Sequence, residues 1–158
     1  MRHLDTYLND HLAAATGGLA LAERARDAQE GRDEALHATL AAAARQIGED
    51  HRALRNAMRA VDARPNPVKI VAGRVGELLG RVKPNGAMLR RSPLSTVIEL
   101  EGLTIAVRGK RALWVALREL EDERLRDLDL ERLVARADEQ WALLEAARRR
   151  VARVVLAD

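Results

Sequence analysis

The side chains best suited to metal binding or proton transfer are four histidines, all in the first half of the chain: His3, His11, His37 and His51. His11 and His51 each lie within or beside an apolar stripe of helical spacing. Each is about 20 residues from a turn at Gly31, so an antiparallel helical hairpin would place them at similar heights. With Asp10 and Asp50 next to them in sequence, they are candidates for a small metal or proton-transfer site. The alternative is two buried histidines satisfied by hydrogen bonds, because two ligands are too few for a closed metal site.

A second candidate is the ExxH pair formed by Glu34 and His37. In di-iron helical bundles, two helices each contribute such a pair and two more each contribute a glutamate. At about 100° per residue, Glu34 faces away from the apolar stripe of its helix and His37 lies at the margin. The sequence contains no second ExxH pair. We therefore expect no metal centre and no cofactor, and interpret the pair as a solvated part of a first helical turn.

Charged residues also lie on the apolar stripes of the second half of the chain. Unpaired buried charge is costly, so these groups must meet carboxylates, solvent or a bound anion. We therefore predict a polar layer inside the fold, made of His11, His51, Asp10, Asp50, Glu101, Arg108 and Arg148. A structural ion-pair network and an anion-binding pocket are both compatible with this layer.

The positive charge is concentrated in residues 64–91. The whole chain has a net charge of +3, whereas this segment has seven basic residues and one acid. Its candidate anion contacts are Lys69, Arg74, Arg81, Lys83, Arg90 and Arg91. Such a segment attracts nucleic acid through its phosphates, but no aromatic residue lies between the basic ones to stack on bases. A solvated basic face, paired with the more acidic remainder of the chain or with a partner subunit, is the alternative.

Hydrophobic spacing predicts four long helices, at about residues 3–29, 33–63, 93–126 and 129–156. The second helix has the clearest stripe, formed by Leu36, Leu40, Ala43, Ile47, Leu54, Met58 and Val61. Asp33 is a candidate N-cap, and Ser92 followed by Pro93 is a typical helix start. A weaker amphipathic pattern predicts a short extra helix over 68–82. Together these elements predict an all-α, up-down-up-down four-helix bundle.

The third predicted helix is apolar on two sides. One stripe comprises Leu94, Ile98, Ile105, Ala112 and Ala116, and the opposite one comprises Leu100, Leu103, Val107 and Trp114. A helix with two apolar faces is expected to be covered on both. The segment 68–82 is one candidate to cover the outer stripe, and a partner chain is the other.

Composition limits the class of protein. The 158 residues are most consistent with a single domain spanning 1–158. The chain has no cysteine, no signal-peptide pattern and no apolar run of the ~20 residues that span a bilayer, which favours the cytoplasm. The abundance of Ala and Arg is typical of a GC-rich bacterial genome.

Several short segments resemble a family of small, uncharacterised actinobacterial proteins with a ferritin-like four-helix bundle. The segments are Tyr7–Ala13, Gly80–Gly86, Ser92–Ser95 and Val97–Glu101. The resemblance implies the fold rather than an activity, although ferritin-like relatives often contain a di-iron carboxylate centre.

The leading hypothesis from the sequence is a non-enzymatic helical protein without a di-iron centre that acts through contacts with another protein or with itself. One alternative is a metal-dependent redox or hydrolytic bundle that uses His11 and His51. Another is an anion or nucleic-acid binder that uses the basic segment 64–91.

Overall fold

The computed structural model describes residues 3–68 and 92–157, and that part of the chain is helical and contains no strand. Its four long helices are α1 (His3–Asp27), α2 (Glu34–Ala60), α3 (Pro93–Glu119) and α4 (Leu130–Val155), and a short 3₁₀ helix spans Glu123–Leu125. The all-helical bundle is thus confirmed for the described residues. The short helix predicted at 68–82 lies outside them from Lys69 onward.

The predicted helix starts are confirmed by their capping hydrogen bonds. The Asp33 side chain accepts a hydrogen bond from the backbone N–H of Leu36 at 2.9 Å. Ser92 accepts one from Leu94 at 3.3 Å, with Pro93 in the first turn of α3. Each cap satisfies a backbone donor that the first helical turn leaves unpaired.

The third helix is shorter than expected, since α3 ends at Glu119 and not near residue 126. Glu121 adopts a left-handed backbone conformation with φ of 48°. Asp122 then caps the 3₁₀ helix by accepting the Arg124 backbone N–H at 3.0 Å. This change of direction lets Leu125 enter the core, where it is buried. No Gly or Pro marks the break in the sequence, which is why the periodic pattern predicted a longer helix.

Contacts between α1 and α2 run in opposite directions along the two helices. Asn9, near the start of α1, donates from Nδ2 to the carbonyl of Arg64, just after α2, at 3.0 Å. Further along α1, Thr16 Oγ1 lies 3.2 Å from His51 Nε2. The two helices therefore form the antiparallel hairpin that the short loop between them predicts.

The expected up-down-up-down order is wrong for α3. Arg24, near the end of α1, pairs with Glu99, near the start of α3, at 3.2 Å. A Cβ on Gly18 would lie 3.8 Å from that of Ala106, further along α3. Hence α3 is antiparallel to α1 and runs in the same direction as α2. An up-down-up-down order requires the chain to reverse direction between α2 and α3. In the structure α2 ends at one end of the bundle and α3 begins at the other, so the two helices run in the same direction.

The order is completed by α4, which returns antiparallel to α2 and gives an up-down-down-up arrangement. Asp33, at the start of α2, is bound by Arg150 near the end of α4 at 3.0 Å. Glu49, in the second half of α2, is bound by Arg136 in the first half of α4, also at 3.0 Å.

All seven residues of the predicted α2 stripe are buried. The core is divided into two apolar clusters. One, around Leu12, Met58 and Trp114, lies towards the end of the bundle where α1 begins, and the other, around Leu40 and Leu103, lies towards the opposite end.

The two faces of α3 have different environments. The inner stripe, Leu100, Leu103, Val107 and Trp114, is buried. On the outer stripe Leu94, Ile98 and Ile105 are exposed, and Ile105 is 73% accessible. The doubled apolar surface expected from the sequence is therefore present, with its outer half open to solvent.

Candidate functional site

A cluster of polar side chains lies between the two apolar clusters, at mid-height in the bundle. Its centre is Asp50 of α2, which is 2% exposed. The Asp50 carboxylate accepts hydrogen bonds from the ammonium of Lys110 and the guanidinium of Arg136. Gln140 donates to the same carboxylate at 3.1 Å and accepts from Lys110 through its own oxygen. The cluster thus joins α2, α3 and α4.

Helical spacing explains why these residues are internal. Lys110 follows Leu103 and Val107 and precedes Trp114, so it occupies the inner stripe of α3. Gln140 lies seven residues after Leu133 and four before Leu144, two buried residues of α4. The sequence analysis identified Asp50 but missed Lys110, Arg136 and Gln140. Polar residues at apolar positions of the stripe were the available signal.

Burial lowers the pKa of Lys110, and the neighbouring charge of Arg136 lowers it further. The charge of Asp50 and its hydrogen bond to the ammonium oppose this shift. Lys110, Arg136 and Asp50 together hold two positive charges and one negative charge in a largely desolvated layer. Arg136 also binds Glu49, but that carboxylate is 35% exposed and shared with Arg45.

A cavity of about 270 Å³ adjoins this cluster between α1, α2 and α3. Small residues of α1 form one wall, among them Ala14, Ala15 and Gly18. These small residues leave the cavity unfilled, because only a methyl group or a hydrogen atom occupies each position from which a larger side chain would extend into the core. The opposite walls are mainly aliphatic. Asp50 and Lys110 of the polar cluster also line the cavity.

His11 and His51 both line this cavity. Thr16 donates its only hydroxyl proton to the Leu12 carbonyl at 2.8 Å. The same oxygen lies 3.2 Å from Nε2 of His51, which joins α1 to α2 at the cavity wall. Burial lowers the pKa of His11, an effect that the charge of Asp10 opposes.

Trp114 also lines the cavity and is fully buried. Its indole N–H has no hydrogen-bond acceptor among the residues that the structure describes. A buried donor without a partner is energetically unfavourable by about 1–3 kcal/mol, and such groups are rare in folded proteins. An acceptor brought in by a ligand is one way to satisfy it.

Four members of the predicted polar layer lie outside the interior. Asp10 is exposed on α1, and Glu101 is exposed on α3. Arg108 is also exposed; it stacks 3.8 Å from the ring centroid of Trp141 and pairs with a surface carboxylate. Arg148 binds its helical neighbour Glu145 at 2.7 Å. Their positions at the margins of the stripes let these side chains extend to solvent.

The weak metal candidates are not brought together with other ligands. Glu34 is exposed and accepts the Gly31 backbone N–H at 3.2 Å, as part of the cap of α2. Among the residues that the structure describes, no three His, Asp or Glu side chains are grouped so that they could hold a metal ion. The basic contacts Lys69, Arg74, Arg81, Lys83, Arg90 and Arg91 all lie outside the described residues, and their role stays a prediction.

Comparison of the chain with models of protein families, with curated proteins and with solved structures gave no match. Within residues 3–68 and 92–157, no helix is both long and apolar enough to cross a membrane.

Proposed function

We propose that this protein is a non-enzymatic helical bundle that binds a small, mainly apolar molecule in the cavity between α1, α2 and α3. The observation that supports this function best is the cavity itself: about 270 Å³ of space beside a buried polar cluster. A largely apolar pocket with a few converging polar groups is typical of a ligand site. An engineered apolar cavity of about 150 Å³ accepts benzene, so this one has room for about ten non-hydrogen atoms.

Several features favour binding over catalysis. The walls are mostly aliphatic, and the carboxylate of Asp50 is already engaged by Lys110 and Arg136. The two imidazoles, His11 and His51, are not joined by a third metal ligand from the described residues. The site offers shape and hydrogen-bond donors, which are the requirements for holding a molecule in place.

The proposal is tested with hexan-1-ol as a neutral apolar probe. A Trp141→Phe background leaves Trp114, in the cavity wall, as the only tryptophan, so its fluorescence reports on the site. We expect saturable binding and an increase in the melting temperature. Gly109 lines the cavity with open space where a Cβ would lie. Gly109→Leu should therefore weaken binding, whereas Ala112→Leu, an exposed position not lining the cavity, should not. Equal binding by both variants would place the probe elsewhere.

For the fold, we propose a ferritin-like bundle forming one domain over residues 1–158, in a bacterial, cytoplasmic protein. Ferritin-like bundles have one long crossover connection, and the parallel direction of α2 and α3 supports this assignment. A di-iron centre does not fit the residues at mid-bundle, because the single carboxylate of Asp50 is paired there with Lys110 and Arg136. A spin label near the start of α2 should broaden the NMR signals of residues at the start of α3, and broadening of residues at the end of α3 instead would refute the assignment.

A second candidate function is self-association through the outer stripe of α3. In an antiparallel pair of α3 helices centred on Ile105, Ile98 of one copy would lie opposite Ala112 of the other. The exposed Glu101 and Arg108 lie on the same flank of this stripe, where they pair within the chain with Arg148 at 3.5 Å and Asp138 at 3.3 Å. Across the pair of helices, Glu101 of each copy would also lie beside Arg108 of the other, so opposite charges meet at two places along the contact. A second copy of the chain is therefore the occupant that we propose.

Sedimentation equilibrium tests this contact directly. We expect a dimer at tens of micromolar, a monomer for Ile98→Glu, and an unchanged dimer for Leu143→Glu, which alters an exposed leucine on α4. A wild-type protein that stays monomeric at these concentrations would refute this contact.

A further inference from the structure

We infer that the ligand of the cavity is an anion: a small aliphatic carboxylate whose charged end is held at the Lys110 and Trp114 side of the site. This inference rests on the proposed function, because it specifies the chemical class of molecule that the same cavity accepts.

The unsatisfied buried groups of the described residues are donors, and one of them belongs to Trp114, which lines the cavity. Among the described residues, the buried side-chain polar atoms without a partner are the indole nitrogen of Trp114 and Nε of Arg136. Both carry an N–H. The ammonium of Lys110 has three N–H groups and uses two, on Asp50 and Gln140. A surplus of donors is matched by a ligand that supplies acceptors only, and an ionised carboxylate has acceptors only.

The charge of the buried layer has the same implication. Asp50 is 2% exposed, and the side chains of Lys110 and Arg136 are 13% and 17% exposed. These three groups sum to one positive charge, which Glu49 offsets from the side open to solvent, where its carboxylate is 35% exposed and bound to Arg136 at 3.0 Å. At Lys110, on the cavity wall, an anion would be attracted and a cation repelled.

The remaining walls of the cavity determine which chemical group suits the uncharged end of the ligand. Ala14, Ala15 and Gly18 of α1 face aliphatic side chains of α2 and α3, among them Ile47 and Leu103. This space suits an unbranched or lightly branched hydrocarbon chain. His51 also lines this space and adds no negative charge to it, because an imidazole is either neutral or positive.

The experiment compares three probes with the same hydrocarbon chain, hexanoate, hexan-1-ol and hexylammonium, against the full-length protein by calorimetry at pH 7. Charge-assisted hydrogen bonds exceed neutral ones in strength, so we expect hexanoate to bind at least about tenfold more tightly than hexan-1-ol. Hexylammonium should bind more weakly than either. The neutral alcohol measures the contribution of the apolar walls alone.

Two variants locate the charged end. Lys110→Met should reduce the preference for hexanoate over hexan-1-ol by at least about fivefold and leave the affinity for the alcohol within about twofold. Trp114→Phe keeps an aromatic ring in the cavity wall and removes the five-membered ring with its N–H. It should reduce the same preference in a protein whose charge is unchanged, while hexan-1-ol reports the effect of the larger space. Arg108→Met removes an exposed cation on α3 that does not line the cavity and should alter neither affinity.

The outcomes separate the two proposals. If hexan-1-ol binds in the cavity but hexanoate binds no more tightly, the anion inference is refuted and the binding function stands. If none of the probes binds, both are refuted. If Arg108→Met weakens hexanoate as much as Lys110→Met does, binding is a surface effect of positive charge and the inference fails. The inference holds if the preference for hexanoate depends on Lys110 and Trp114.

Discussion

Replacing Asp50 with Asn removes the only negative charge of the buried cluster while keeping nearly the same shape. Lys110 and Arg136 would each lose a charge-assisted hydrogen bond, worth about 1.5–3 kcal/mol, and one amide N–H of the new side chain would face a donor. Lys110 keeps Gln140 and Arg136 keeps Glu49, so the sum is an upper bound. Breaking a buried ion pair typically decreases stability by about 3–5 kcal/mol, and we expect about 3 kcal/mol here.

Urea unfolding followed by far-UV circular dichroism measures this loss. With a denaturant slope of about 2 kcal/mol per molar, a loss of about 3 kcal/mol lowers the midpoint by about 1.5 M. The matched control is Asp138→Asn, which removes an exposed carboxylate bound to Arg111 at 2.8 Å and to Arg108 at 3.3 Å. Exposed pairs contribute about 0–1 kcal/mol. Equal losses in the two variants, or a loss below about 1 kcal/mol for Asp50→Asn, would refute the reasoning.

The double variant Asp50→Asn with Lys110→Met tests the cause of the loss. If uncompensated charge is the cause, removing Lys110 restores part of the stability, and the two single effects do not add. The pH provides an independent check. Asp50 opposes the lowering of the Lys110 pKa by burial, so Asp50→Asn should lower that pKa further. The deficit in stability should then shrink as the pH rises above neutral and Lys110 loses its proton.

Three further outcomes are expected. Gly31 has a φ of +66°, which a side chain disfavours, so Gly31→Ala should decrease the stability measured by urea unfolding by about 1 kcal/mol. Asp62, just after α2, has a φ of 60°, so Asp62→Gly should increase the stability by about 0.5–1 kcal/mol. Hydrogen bonds from Arg148 and Arg149 lower the pKa of Glu145 to about 2, so carboxyl NMR of Arg148→Gln should show that pKa rising towards 4.5. Burial lowers the pKa of His11 below its ordinary 6.5. The contribution of His11 to the free energy of unfolding is therefore full above pH 6.5 and is lost as the pH falls through the lowered pKa. His11→Gln should remove this part of the pH dependence of unfolding.

The helices were predictable because the spacing of apolar residues and the capping chemistry are local. The α2 stripe and the caps at Asp33 and Ser92 follow from positions three and four residues apart. The direction of α3 is not a local property, because nothing in the pattern shows which end of the bundle the chain reaches before Ser92. The end of α3 was missed for a related reason: Leu125 becomes a core residue only if the chain turns at Glu121.

The site was partly predictable from the same periodicity. Counting from the turn predicts equal heights for His11 and His51, but the residue of α1 that contacts His51 is Thr16, five residues after His11. The two histidines nevertheless line the same cavity. The layer of charges was predicted with the wrong members. Arg108 and Arg148 are long side chains at the margin of a stripe and reach solvent. Lys110 lies within the stripe, with Leu103 and Val107 preceding it, and has no comparable route out.

The cavity and the polar cluster are related through the choice of small residues in α1. At about 24 cal/mol per Å³, a closed empty cavity of 270 Å³ would decrease stability by as much as about 6 kcal/mol, a large share of the 5–15 kcal/mol typical of a domain. The opening between α1 and α3 admits water and lowers this figure, but water cannot replace the dispersion contacts of a packed chain. Leucine in place of Ala15, which lines the cavity, would fill part of this space. The sequence instead leaves a volume lined by the unpartnered indole N–H of Trp114 and by the ammonium of Lys110. A bound acceptor with an apolar body would stabilise this arrangement, and a simple packing role for α1 does not explain it.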